Sequence, residues 1–204
     1  MLKRLAALMF VLVTMFGLQA CSGSAPVSLL DYVNSFQGYQ FSYPTGWIEV
    51  NVSEGPDVVF HDIINPTENV SVVVSPVAEG KTLEELGGPT EVGYKLSKSI
   101  TEMAGDSRDV ELVSAQNVET AEGKTYYILE YLTNTPTGER HNLASAIVRR
   151  GQLFTYTASV PEARWNRLKA SLARSVASFS VYVKPMPLLS LCWHRLHQDD
   201  DSFC

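Results

Sequence analysis

His61 is followed at once by Asp62, and His141 stands two positions after Glu139. An imidazole nitrogen and a carboxylate oxygen are ligands that a divalent ion such as zinc accepts, so each pair is a candidate half-site. These are the only two histidines between residues 31 and 183. Few catalytic schemes can be built from that inventory, because an activated nucleophile needs a base and a group to orient the base. The sequence carries no G-x-S-x-G, no H-E-x-x-H and no phosphate-cradling glycine loop. Near the C-terminus Cys192, His194 and His197 have ligand-like spacing, but Pro185 and Pro187 precede them and no period supplies a framework for a tetrahedral centre. Asn51-Val52-Ser53 and Asn69-Val70-Ser71 fit the glycosylation triplet and read as ordinary strand and turn residues.

A third reactive side chain is Cys21. Lys3 and Arg4 open the chain, residues 5–18 are apolar except for Thr14 and Gly17, and small Ala20 follows. That layout is a secretory signal, and it stops short of the roughly 20 apolar residues that a spanning helix needs. Leu18-Gln19-Ala20-Cys21 resembles the bacterial lipoprotein box, in which the signal is cut before the cysteine and the thiol carries a diacylglycerol. The expectation is a signal peptide over 1–20 and a lipid-anchored Cys21 at the head of a tether, 21–30, of small and polar residues. With Cys21 lipidated, the other two cysteines, Cys192 and Cys204, both lie in the last stretch, so the domain must hold together by its core and not by a disulfide framework.

The elements that would position the histidines are mostly strands. Short β-rich runs cover 39–43, 47–50, 58–62 and 70–75, with Pro44-Thr45-Gly46 forming a turn between the first two. Thr82 and Glu85 have the spacing of a capping box, and Gly87-Gly88-Pro89 ends that first turn. A longer helix then carries Val92, Leu96, Ile100 and Met103 on one stripe and stops at Gly105. Strands follow at about 110–118, 124–133, 141–149 and 152–160, the last two joined by a tight turn at Arg150-Gly151. In "KTYYILEYL" both alternating faces are apolar, as expected of a strand covered on both sides. A closing helix begins near Pro161, with Ser159 and Glu162 spaced as a second capping box and Trp165, Leu168, Leu172, Val176 and Phe179 as its apolar stripe. These elements predict one α+β domain over 31–183, an αβα sandwich with a central antiparallel sheet flanked by helices. Residues 184–204 read as an irregular appendage, and no internal repeat is visible.

The formal net charge of −6 hides a polarity. Residues 31–139 hold 5 Lys/Arg against 18 Asp/Glu, whereas 140–183 hold 7 Lys/Arg against Glu162 alone. A basic surface opposed to an acidic one orients a protein against a charged partner. Arg149, Arg150, Arg164, Arg167 and Lys169 are the candidate contacts. Nucleic acid is excluded as that partner by the acidic remainder and by export.

"GYQFSYPTGW", "VVFHDIINPTENVSVVVSPV", "GKTYYILEYLT", "RHNLASAIVRRGQLFTYTAS" and "RWNRLKASLARSVASFSV" resemble, in that order, the PsbP family of extrinsic photosystem II proteins. With the lipoprotein box, the resemblance is to its cyanobacterial branch. It implies an αβα sandwich, no catalysis of its own, and an accessory role on the lumenal side of the thylakoid membrane. Plant members assist calcium and chloride retention at the oxygen-evolving cluster, while cyanobacterial relatives resemble assembly or stabilising factors. Partners would be photosystem II core subunits or assembly intermediates, met by a monomer held at the membrane through its lipid. The resemblance also implies a zinc, manganese or calcium site, with His141 and Glu162 at the positions of the family's metal-binding histidine and acid. His61 and Asp62 remain a separate candidate. The alternative function is a periplasmic or lumenal metal-binding lipoprotein with only an indirect photosystem role.

Overall fold

The computed structural model describes residues 27–104 and 109–182. The signal segment, Cys21, Gly105 and the 184–204 appendage with Cys192, His194 and His197 lie outside the described residues. The chain order is β1 (Leu29–Asn34), β2 (Tyr39–Pro44), β3 (Trp47–Val50), β4 (Val58–Asp62), β5 (Asn69–Pro76), α1 (Leu83–Leu86), α2 (Pro89–Ala104), β6 (Asp109–Glu119), β7 (Thr125–Thr135), β8 (Gly138–Arg149), β9 (Gln152–Pro161), α3 (Glu162–Ala177) and β10 (Ser180–Val181). Seven strands form one antiparallel sheet in the order β3-β4-β5-β9-β8-β7-β6.

Strand β7 shows why the sheet is buried on both faces. Tyr126 and Ile128 pack with Phe41, Phe60, Tyr156, Trp165 and Leu172 on one side. Tyr127, Leu129 and Tyr131 point the other way, to Leu83 and Val92 on α1 and α2, as the two-residue period of a strand requires. The capping box of α1 is present, with Thr82 Oγ1 accepting from Glu85 N and Glu85 returning to Thr82 N. On α3, the buried serines Ser171 and Ser175 let the helix approach closely, and Ser175 Oγ donates to the carbonyl of Ser42 at 2.6 Å.

Two features differ from the sequence reading. One outer layer is not helical alone: α3 shares it with a second sheet, β1-β2-β10, whose first strand begins within the expected tether. Residues 44–46 therefore carry the chain from one sheet to the other, with Gly46 at φ +87. The second capping box does not form, since the N-cap of α3 is Pro161 with no side-chain cap bond. Ser159 is still in β9, where its hydroxyl donates to Asn142 Oδ1 at 2.6 Å, and Glu162 is engaged by His141.

The β8–β9 turn puts Arg150 at φ +55 and Gly151 at φ +68, the positive pair that a two-residue hairpin demands. Arg150 offsets that cost with its side chain, which donates to the Gln37 carbonyl and lies 5.6 Å above the Phe154 ring.

Burial holds the phenol protons of Tyr39, Tyr131 and Tyr156 well above the usual tyrosine range; at Tyr39 a hydrogen bond to Asp57 adds to it. Their folded values are raised above the unfolded one, so the stability they contribute is complete below about pH 10 and is lost as pH rises beyond it. Alkaline titration followed by phenolate absorbance is expected to show two stages, with these three ionising only as far-ultraviolet circular dichroism is lost. A single smooth titration with the fold intact would contradict their burial.

Candidate functional site

Three chain segments deliver one cluster. His141 lies on β8 opposite Val160 of β9 and Leu132 of β7. Two residues from those partners, on the same face, stand Glu162 at the start of α3 and Glu130 on β7. His141 Nδ1 is 2.6 Å from Glu162 Oε2, and Nε2 is 2.7 Å from Glu130 Oε1. Trp165, one turn into α3, stacks on the imidazole with centroids 3.7 Å apart and planes 11° apart. Lys169 Nζ lies 5.6 Å from the Trp165 ring centre, and Ser114 donates to Glu130 Oε2 at 3.1 Å. His141 is only 6% exposed. Through its two ring nitrogens the imidazole bridges β7 to α3.

The donor set suits a metal ion on one side only. Zinc bonds of about 2.0–2.2 Å to nitrogen and oxygen would ask the Nδ1 and Oε2 atoms to part slightly. Glu162, the more exposed of the two carboxylates, is the one free to do so. The fit is to two protein ligands completed by water, because Glu130 meets the opposite ring nitrogen, and among the described residues no three His, Cys, Asp or Glu side chains are grouped to hold one ion.

His61 and Asp62 are placed differently. His61 Nδ1 is 2.9 Å from the Asp62 carbonyl, while the Asp62 carboxylate accepts from the backbone of Ile64 and Asn65 at 2.7 and 2.6 Å. Asp62 thus closes the loop after β4, and its carboxylate is engaged there.

A family profile for PsbP matches residues 28–181. The chain belongs to the PsbP family. This PsbP domain is 45% identical over 181 residues to CyanoP of Thermosynechococcus vestitus, a match covering 86% of this chain and 96% of that one. It is 36% identical over 145 residues to the chloroplastic PsbP-like protein 1 of Arabidopsis thaliana, covering 71% of this chain and 61% of the relative. The solution structure of CyanoP from Synechocystis sp. superposes with a TM-score of 0.67 at 39% identity, covering 81% of this chain and 99% of that one.

The five basic candidates of the PsbP domain do not form one patch. Arg149 and Arg150 sit at the β8–β9 turn, whereas Arg164, Arg167 and Lys169 are on α3. Arg164 is committed internally: its guanidinium pairs with Glu68, a carboxylate only 1% exposed in the β4–β5 loop. Arg167 and Lys169 are exposed. Sequence reasoning missed Glu68, Glu130 and Phe36, the last 84% exposed in the β1–β2 turn. A lone carboxylate inside "YYILEYL" was the available signal for Glu130. An aromatic among the turn residues of "NSFQG" was the signal for Phe36.

Proposed function

We propose that this PsbP-family chain is a lipid-anchored accessory protein of photosystem II. It works on the lumenal side of the thylakoid membrane, where it assists assembly or stabilisation of the oxygen-evolving complex and catalyses no reaction. The observation that carries this reading is family membership across the whole domain, with relatives such as CyanoP matched nearly end to end. The diacylglycerol on Cys21 confines the monomer to the membrane surface and raises its effective concentration beside a membrane partner. No helix among the described residues is long and apolar enough to cross a membrane. Docking uses Arg150 beside exposed Phe36, an aromatic-and-arginine combination frequent in binding hot spots, with Arg149 next to it at the β8–β9 turn and Arg167 and Lys169 on α3.

Two tests follow. Cys21→Ser is expected to move the chain from the membrane pellet to the soluble fraction. On native gels of mildly solubilised membranes, the unmodified chain is expected to migrate with photosystem II core complexes. Free migration beside intact core complexes would count against the docking role.

A second reading, a divalent ion at His141 and Glu162, is favoured by the 2.6 Å approach of Nδ1 to Oε2. Its mixed nitrogen and oxygen donors suit zinc or manganese better than calcium, which takes six to eight oxygens.

A further inference from the structure

The loop after β4 displays two large aliphatic side chains: Ile63 is 62% exposed and Ile64 81%. Its backbone is nevertheless fixed at several points. Asp62 Oδ1 accepts from Ile64 N and Asn65 N, Ile63 N donates to the Gly46 carbonyl at 3.2 Å, and Glu68 N donates to the Asn65 carbonyl at 2.9 Å. Arg140 Nη2 donates to the Thr67 carbonyl at 2.5 Å, and the Glu68–Arg164 ion pair ties the loop to α3. An apolar pair held out by a rigid loop loses little further freedom when something covers it. Of the two carboxylates of the loop, Glu68 is paired with Arg164, and Asp62 is turned to the loop's own backbone.

The occupant is argued from where the chain enters the domain. Thr45 N donates to the Ser28 carbonyl at 2.9 Å, and the next residue, Gly46, accepts from Ile63. The entry at Val27 and Ser28, the 44–46 turn and the isoleucine tip therefore share one end of the domain. The β1–β2 turn with Phe36, and Arg150 bonded to Gln37, lie at the other end of β2, which at about 3.3 Å per residue is nearly 20 Å away. Cys21 stands six positions before Val27, and six residues span at most about 20 Å. An anchor at Cys21 thus keeps the isoleucine end within about 20 Å of the lipid.

We propose that Ile63 and Ile64 form a second membrane contact, entering the lipid interface beside the tether and orienting the domain with Phe36, Arg149 and Arg150 away from the bilayer. The proposal rests on the lipid-anchor reading of Cys21. The test uses the full chain, lipidated at Cys21, with Cys192→Ser and Cys204→Ser, reconstituted into vesicles of equal phosphatidylcholine and phosphatidylglycerol. An environment-sensitive fluorophore is placed through Ile64→Cys in one sample and Phe36→Cys in another, both exposed positions. The expected result is a several-fold rise and blue shift at position 64, quenched by brominated lipid, with position 36 unchanged from water. Flotation with the vesicles and silence at both positions would overturn the tip contact while leaving the anchor standing. A response at position 36 instead would overturn the orientation. Failure to float would sink the anchor reading, and the tip contact with it. A response at position 64 only in native membranes containing photosystem II would reassign the tip to a protein partner and overturn the lipid contact.

Discussion

Replacing Arg164 with methionine is expected to lower the unfolding free energy by about 3 kcal/mol, because it strands Glu68 as a buried charge without its partner. The value sits at the low end of the usual range for broken buried pairs, since the Arg164 side chain is itself 32% exposed and water can follow it. Arg140, whose guanidinium lies on the Thr67 carbonyl, further limits the loss. Glu68→Gln is expected to be milder, as it removes the charge that needs a partner. The double variant should then be more stable than the sum of the two single losses implies, and urea midpoints for the four proteins read that coupling directly. Additive losses would mean that the pair does not hold the β4–β5 loop to α3. The same measurement bears on the isoleucine tip, whose rigidity depends on that pair.

Trp165→Ala is expected to be at least as costly, about 3–5 kcal/mol for a buried aromatic truncated in place. Here the loss has a local signature. The indole is one wall of the His141 site, and without it the imidazole loses its stacking surface between Glu130 and Glu162. Trp165→Phe keeps an aromatic wall and should retain most of the stability. Zinc titration separates packing from ligation. His141→Ala is expected to abolish zinc uptake by the folded domain, whereas Trp165→Phe is expected to preserve it. Undiminished uptake by the His141→Ala protein would remove the metal reading from this site.

Much of the fold is written in local patterns. The Thr82–Glu85 box, the stripe from Trp165 to Val176 and the two apolar faces of β7 each correspond to an observed element, while Phe179, expected on the same stripe, packs into the core from just past the helix end. What the local pattern does not contain is which sheet a strand joins. β2 has the same alternation as its neighbours, yet it pairs with β1 and β10, and that choice is made by α3 packing beside it through Ser42, Ser175 and Ser178. The second capping box failed for a related reason: the spacing of Ser159 and Glu162 was right, but tertiary partners, Asn142 and His141, claimed both side chains. At the site, His141 and Glu162 were legible through the family resemblance, while Glu130 depended on β7–β8 register. The Arg164–Glu68 pair joins residues 96 positions apart, and no local signal marks it. Charge alone therefore put Arg164 with Arg167 among surface contacts.

The most direct test of the photosystem II role is recovery of a tagged chain, with Cys21 intact, from gently solubilised photosynthetic membranes, followed by identification of what comes with it. Photosystem II core subunits are expected to be recovered, and to be lost when Arg149 and Arg167 are changed to glutamate in a protein that still melts normally. Recovery of the chain alone, from membranes that do contain photosystem II, would contradict stable docking.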